Sequence, residues 1–175
     1  MLSAHTPYID NYPRDAAIYP DTGQRQHDYI VNSYDNSIHY TQQLIADIYA
    51  YFDARKQPVY IFFVPDHGEA MGQEGRYGHN TVQLESALVP ILVYGSHIPE
   101  NAMTTLKQRL GCLTNHYLVG KEIAALMGYH VHNPNEVNDT YYLNGTGAFG
   151  EAGYMAYSLQ EQRQLRCPPA PNPAD

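Results

Sequence analysis

The segment FVPDHGEAMGQEGRYGHN, residues 63–80, gathers the side chains best suited to chemistry in this sequence. Asp66 and His67 are adjacent, and a carboxylate beside an imidazole at the end of a rigid strand makes half of a zinc or manganese site. Gly68 follows at once and lets the backbone turn sharply. A second histidine, His79, comes after a stretch carrying Gly72, Gly75 and Gly78, a spacing flexible enough to bring it back over the pair. The same residue types also serve structure. An Asp after a strand often caps a helix or forms a turn, and Glu69 and Glu74 read as solvated loop carboxylates. His27, His39, His97 and His116 show no ligand spacing and read as packing or surface groups. His130 and His132 form an H-x-H pair with no third ligand in view.

The elements around this loop are those of an α/β protein. Residues 1–29, punctuated by Pro7, Pro13 and Pro20, read as loop. Tyr34, Ile38, Thr41, Ile45, Ile48 and Phe52 recur at three- and four-residue steps and predict a helix from Asn32 to Arg55, capped by Asn32 or Ser33. Val59–Val64 (VYIFFV) and Ile91–Tyr94 are continuous apolar runs, the pattern of strands buried on both faces in a parallel sheet. Asp66 and His67 then stand just beyond a strand's carboxyl end, where open α/β sheets gather functional groups. A helical turn is expected over Val82–Ala87, and helices over Asn101–Leu110 and Asn115–Met127, the last closed by Gly128. From Asn133 onward short strands or irregular coil are expected, with a hairpin near Asn144-Gly145, then a disordered Pro-rich tail over 167–175. No repeat and no second domain is evident.

Bulk properties narrow the function classes. The 175 residues are 43% hydrophobic and 16% charged, with 17 tyrosines, no tryptophan and a net charge of -8, so a nucleic-acid backbone is excluded as a partner on charge. No stretch reaches the roughly 18 apolar residues of a membrane-spanning helix, and no signal-peptide pattern opens the chain. Cys112 and Cys167 match no zinc motif, and the place of Cys167 in the Pro-rich tail favours unpaired thiols.

Four segments carry a family resemblance. DHGEAMGQEGRYGHN is similar to the DHGExxGExGxYxHG metal loop of bacterial phosphoethanolamine transferases, members of the alkaline-phosphatase/sulfatase superfamily. AHTPYIDNYP at 4–13 resembles their SHGPxYxxRYP motif, NSYDNSIHYTQQLI at 32–45 their YDNTIxYxDxxI helix, and TNHYLVGKEIAALMGY at 114–129 their late DNLxxTLLGLMG helix. The resemblance covers most of residues 4–129, in order. It implies a partial alkaline-phosphatase-like (sulfatase) fold over residues 1–166, with a mostly parallel sheet flanked by helices.

The resemblance also implies roles. Asp66 and His67 would be two ligands of a Zn2+ ion, with Mn2+ as the alternative, while His5 and His79 would handle the phosphate group or a second, weaker zinc. The reaction would pass phosphoethanolamine from a phospholipid donor through a threonine to a cell-envelope acceptor, in the periplasmic domain of an inner-membrane protein. Thr6, Gln73 and Asn80 depart from the motifs at Gly, Glu and Gly positions, and Gln42 stands at an Asp position. In the family the nucleophilic threonine, a carboxylate ligand and the membrane anchor precede the first motif. None of Thr6, Thr41 and Thr81 is assigned as nucleophile, and the chain alone is expected to be inactive. The missing N-terminal half, or self-association through an exposed sheet edge, is expected to cover the remaining surface. Rival readings are a sulfatase or phosphoglycerol transferase, and a non-catalytic remnant.

Overall fold

The computed structural model describes residues 4–22, 25–79, 82–134, 139–146 and 152–167. Asn80, Thr81, the 147–151 segment and the tail beyond Cys167 lie outside them. The architecture is mixed α/β, and the chain divides into two compact units, Met1–His97 and Ile98–Asp175.

In the first unit, helix α1 spans Gln26–Asp53 and begins ahead of the expected Asn32. The residues expected to cap it are bonded elsewhere: Asn32 Nδ2 donates to the Pro20 carbonyl at 2.7 Å, and Ser33 Oγ to the Tyr29 carbonyl at 2.7 Å. Asp28, in the first turn and 3.1 Å from Arg25, faces the positive end of the helix dipole instead. The most buried face of α1 is polar, made by Ser33, Asn36 and Ser37. Tyr34 of the expected apolar face packs edge-on against Tyr8, but Ile48 of the same face is 45% exposed. Small side chains on the buried face let the segment 8–21 lie close to the helix. Asn36, fully buried, fastens it: Oδ1 accepts from the amides of Ile18 and Tyr19, both at 2.9 Å, and Nδ2 donates to the Tyr19 carbonyl at 3.0 Å.

Strand β1 (Val59–Phe63) pairs with a later strand, Leu92–Ser96, and the pairing is antiparallel, with Val59 opposite Ser96 and Phe63 opposite Leu92. The mostly parallel sheet is therefore not formed among the described residues, whose three sheets are each two-stranded and antiparallel. An apolar run reports coverage of both faces and carries no strand direction. Here coverage is partial too, since every residue of β1 is only half-buried. Between the two strands lie β2 (Ala70–Met71), β3 (Tyr77–Gly78) and a helical turn, α2 (Leu84–Ala87); Leu92–Ser96 is thus β4.

In the second unit, α3 (Glu100–Leu110) packs on α4 (His116–Leu126), and Leu106, Leu110 and Val119 are their buried apolar residues. Asn115 caps α4 by accepting from the Leu118 amide at 2.9 Å, and Gly128 beyond its end adopts φ +86. Strands β5 (Thr140–Thr146) and β6 (Ala152–Ser158) form a hairpin. Asn144 and Gly145, expected at its turn, lie inside β5 opposite Tyr154 and Gly153. An Asn-Gly pair signals a turn only when the chain around it does not continue in register. Helix α5 (Leu159–Arg166), unforeseen, starts on the Ser158 cap, and Cys167 after it is disulfide-bonded to Cys112 rather than free. The short helix carries Cys167 back to the loop between α3 and α4, a closure that sequence spacing does not show.

Candidate metal centre

The candidate site forms where β1 ends. After Val64 and Pro65 the chain presents Asp66 and His67, and Gly68 is then held by its amide, which donates to the Ser86 carbonyl of α2 at 2.9 Å. A Cβ at Gly68 would sit 2.1 Å from the Glu85 carbonyl oxygen and 2.9 Å from that of Leu88. Glycine is therefore required by close backbone approach, a stricter reason than turning freedom.

The glycines after it do what their spacing predicted. Gly72, Gly75 and Gly78 all take positive φ (+102, +75 and +88), and the tight connection is closed by Gly72 donating to the Arg76 carbonyl at 2.7 Å. The register of β2 and β3, Ala70 opposite Gly78 and Met71 opposite Tyr77, places Glu69 opposite His79 at the open end of the hairpin. Their side chains meet, His79 Nδ1 to Glu69 Oε1 at 2.8 Å.

Three histidines converge here. The His67 and His79 rings stack with centroids 4.2 Å apart and planes at 24°, and the His5 ring lies 4.7 Å from that of His79. His67 Nδ1 donates to the Gly68 carbonyl at 3.1 Å and His5 Nδ1 to the Thr6 carbonyl at 2.9 Å. A carbonyl only accepts, so both rings keep Nε2 for another partner. Asn11 steadies the His5 loop by donating to the His5 carbonyl at 2.6 Å.

Asp66 lies at the rim. Its side chain is 92% exposed, with Oδ2 3.8 Å from His67 Nε2, the nitrogen that His67 leaves free. Two ligands of a tetrahedral zinc with bonds near 2 Å stand about 3.3 Å apart, so a small adjustment lets this pair share an ion. Deeper in, donor atoms of His67, Glu69 and His79 all fall within 4.8 Å of one another. Imidazole nitrogens with carboxylate oxygens suit zinc, and the residues present fit a divalent metal.

Two participants went unrecognised in the sequence. Glu69, read as a solvated carboxylate, has a side chain only 4% exposed, and its second oxygen accepts from the Tyr8 hydroxyl at 2.7 Å. Tyr8 comes from the short turn Tyr8–Asp10, is itself buried, and rests edge-on against Tyr34 of α1. Burial first, and then the Glu69 carboxylate against the opposing Thr6 hydroxyl, holds the Tyr8 hydroxyl well above the ordinary tyrosine range, so it stays a donor. Tyr34 is raised by burial and by the charges of Glu69 and Asp35. The one signal available was register: a Glu and a His equally spaced from a glycine-rich connection.

The other histidines stand apart from this cluster. His27 Nδ1 meets the Tyr77 hydroxyl at 2.8 Å, His97 Nε2 meets the Asp53 carbonyl at 3.1 Å, and His39 meets Gln43 at 3.0 Å. Among the described residues no metal-capable group includes His130 or His132.

Comparison with known proteins bears on this site. A family model described as Sulfatase matches residues 1–129, which includes the whole histidine cluster. The chain is 27% identical over 107 residues to phosphoethanolamine transferase EptA of Helicobacter pylori, a match taking in 55% of this chain and 20% of that protein. The chain thus corresponds to about a fifth of this relative's length. No solved structure matches it.

Proposed function

This chain belongs to the sulfatase family, and from that premise we propose that it is the metal-binding part of a phosphoethanolamine transferase, one that moves phosphoethanolamine from a phospholipid to an acceptor of the cell envelope. The observation that carries the reading is the convergence of His5, His67 and His79 with Asp66 and Glu69 at the carboxyl end of β1. The likeness to a phosphoethanolamine transferase supports the substrate class.

On this reading Asp66 and His67 Nε2 hold a zinc ion, with manganese as the alternative occupant. Bound there, the ion would lower the pKa of a coordinated hydroxyl and offset charge on phosphoryl oxygens. His5 and His79 face the phosphate, donate to its oxygens when protonated, and exchange protons with the entering and leaving hydroxyl groups. The nucleophile is a threonine, which makes the transfer a two-step exchange. Thr41 is not that group, because its hydroxyl donates to the Ser37 carbonyl within α1 at 2.9 Å. We assign the nucleophile, a further carboxylate ligand and a membrane anchor to the part of the fold that the relative has beyond its matched fifth, in keeping with a mostly parallel alkaline-phosphatase-like sheet completed there. Among the described residues no helix is long and apolar enough to cross a membrane. The Cys112–Cys167 disulfide supports an oxidising compartment such as the periplasm.

The test is a 31P NMR titration of O-phosphoethanolamine with the zinc-loaded chain. The phosphorus signal should shift and broaden with the wild-type chain and stay put with His79→Ala. No response from the wild-type chain overturns the phosphoethanolamine assignment. A sulfate ester that displaces O-phosphoethanolamine, returning its 31P signal to the free position, favours the sulfatase reading, which the matching family also contains.

A further inference from the structure

We propose that Tyr8 and Glu69 are a positioning pair for His79, fixing the proton of its neutral ring on Nδ1 and presenting Nε2, with its lone pair, to the reacting groups. The inference deepens the phosphate-handling role given to His79 above and rests on that reading only for its use in the reaction.

A carboxylate accepts and does not donate. With Glu69 Oε1 at 2.8 Å from His79 Nδ1, the nitrogen must carry the hydrogen. Oε2 is occupied from the other side by the Tyr8 hydroxyl at 2.7 Å, so the carboxylate cannot rotate away without giving up both bonds. Burying such a group is costly unless it is bonded, and at 4% exposure its bonding partners are a histidine of the site and a tyrosine. Tyr8 is immobilised in turn by Tyr34, whose ring centroid is 5.3 Å away. The hairpin register puts Glu69 and His79 opposite each other whatever the site holds. Tyr8 and Glu69 thus come from separate segments, the 8–10 turn and the loop after β1, and meet only in the fold.

The consequence is a direction for proton transfer. When an acceptor hydroxyl attacks the phosphorylated threonine, a P–O bond to the acceptor forms, the P–O bond to the threonine oxygen breaks, and the acceptor's proton passes from its O–H to His79 Nε2. The resulting imidazolium faces the Glu69 carboxylate through Nδ1–H and later returns the Nε2 proton to solvent or to a leaving alkoxide. Neither Tyr8 nor Glu69 touches the reactants.

Histidine tautomers are read directly from long-range 1H–15N correlations of the 15N-labelled chain, recorded where the ring signals are those of neutral imidazole. A hydrogen bond to a charged acceptor biases the two tautomers by about tenfold or more, so wild-type His79 should appear as the Nδ1–H form. Glu69→Gln, whose amide can donate as well as accept, should return a mixture, and Tyr8→Phe should reduce the bias. A wild-type spectrum showing His79 protonated on Nε2 overturns the proposal, as does a Glu69→Gln spectrum identical to wild type. Should Glu69→Gln fail to fold, the wild-type and Tyr8→Phe spectra still decide it. The readout needs neither metal nor turnover. A failed phosphoethanolamine titration with the Nδ1–H tautomer present would sink the transferase reading alone.

Discussion

Tyr12 and Tyr8 are buried with their hydroxyls on carboxylates, Asp21 at 2.5 Å and Glu69 at 2.7 Å, and both come from the sequence PYIDNYP. One supports the scaffold and the other the site, a division that residue type alone does not reveal. Burial first, and then the hydrogen bond to Asp21, pushes Tyr12 up from 10.0 to about 12. A group whose folded pKa is raised contributes stability that is complete below its unfolded pKa and lost as pH rises toward the folded one. Unfolding free energy should therefore fall between about pH 10 and pH 12. Tyr12→Phe should make that fall less steep in urea melts, while costing roughly 1–3 kcal/mol at neutral pH by leaving the Asp21 carboxylate short of a donor. At this scale Asp66, His67, His5 and His79 were legible because their types and motif positions announce chemistry. Glu69 was not, because burial depends on what folds over a residue, and here that is Tyr8 from the other end of the unit.

At the scale of elements, the loop after β1 is held to α2 by close backbone contact at Gly68. Gly68→Ala cannot be accommodated by a side-chain rotation, since the obstacles are carbonyl oxygens. It should cost at least about 1–3 kcal/mol, seen as a lower thermal midpoint, and should weaken metal binding by displacing Asp66 and His67. Helix α1 makes a different point. Its polar face is the buried one because Asn36 satisfies the amides of Ile18 and Tyr19 and the Tyr19 carbonyl together. Asn36→Ala should destabilise by roughly 2–4 kcal/mol, since buried backbone groups would lose their partners, and denaturant midpoints would show it. Helix periodicity located α1 but misplaced its start, and it gave no sign of the buried Ser33, Asn36 and Ser37, because periodicity counts apolar residues and this interface is built from Ser and Asn. Strand positions were legible in VYIFFV; pairing direction was not, since composition is the same for either.

At the scale of the molecule, the disulfide ties two cysteines 55 residues apart within the second unit. Closing a loop of that size stabilises by roughly 3–5 kcal/mol on chain-entropy grounds. Reduction should lower the midpoint of a transition belonging to residues 98–175 and leave that of the first unit in place, as hydrogen exchange on oxidised and reduced samples would resolve. The pairing of Cys112 with Cys167 was hidden by the proline-rich sequence after it, which made an ordered position look like a tail. The two-stranded β1–β4 sheet also leaves outer edges without a strand partner among the described residues.

The function proposed for this chain depends on a metal site at the end of β1. Calorimetric titration of the purified chain with zinc, beside the Asp66→Ala/His67→Ala double variant, tests it most directly. Because Asp66 is almost fully exposed and His67 half-buried, the variant should keep its fold, which circular dichroism would verify. About one zinc should bind to the wild-type chain and none to the variant. Absence of binding to the wild-type chain, or equal binding to both, would contradict it.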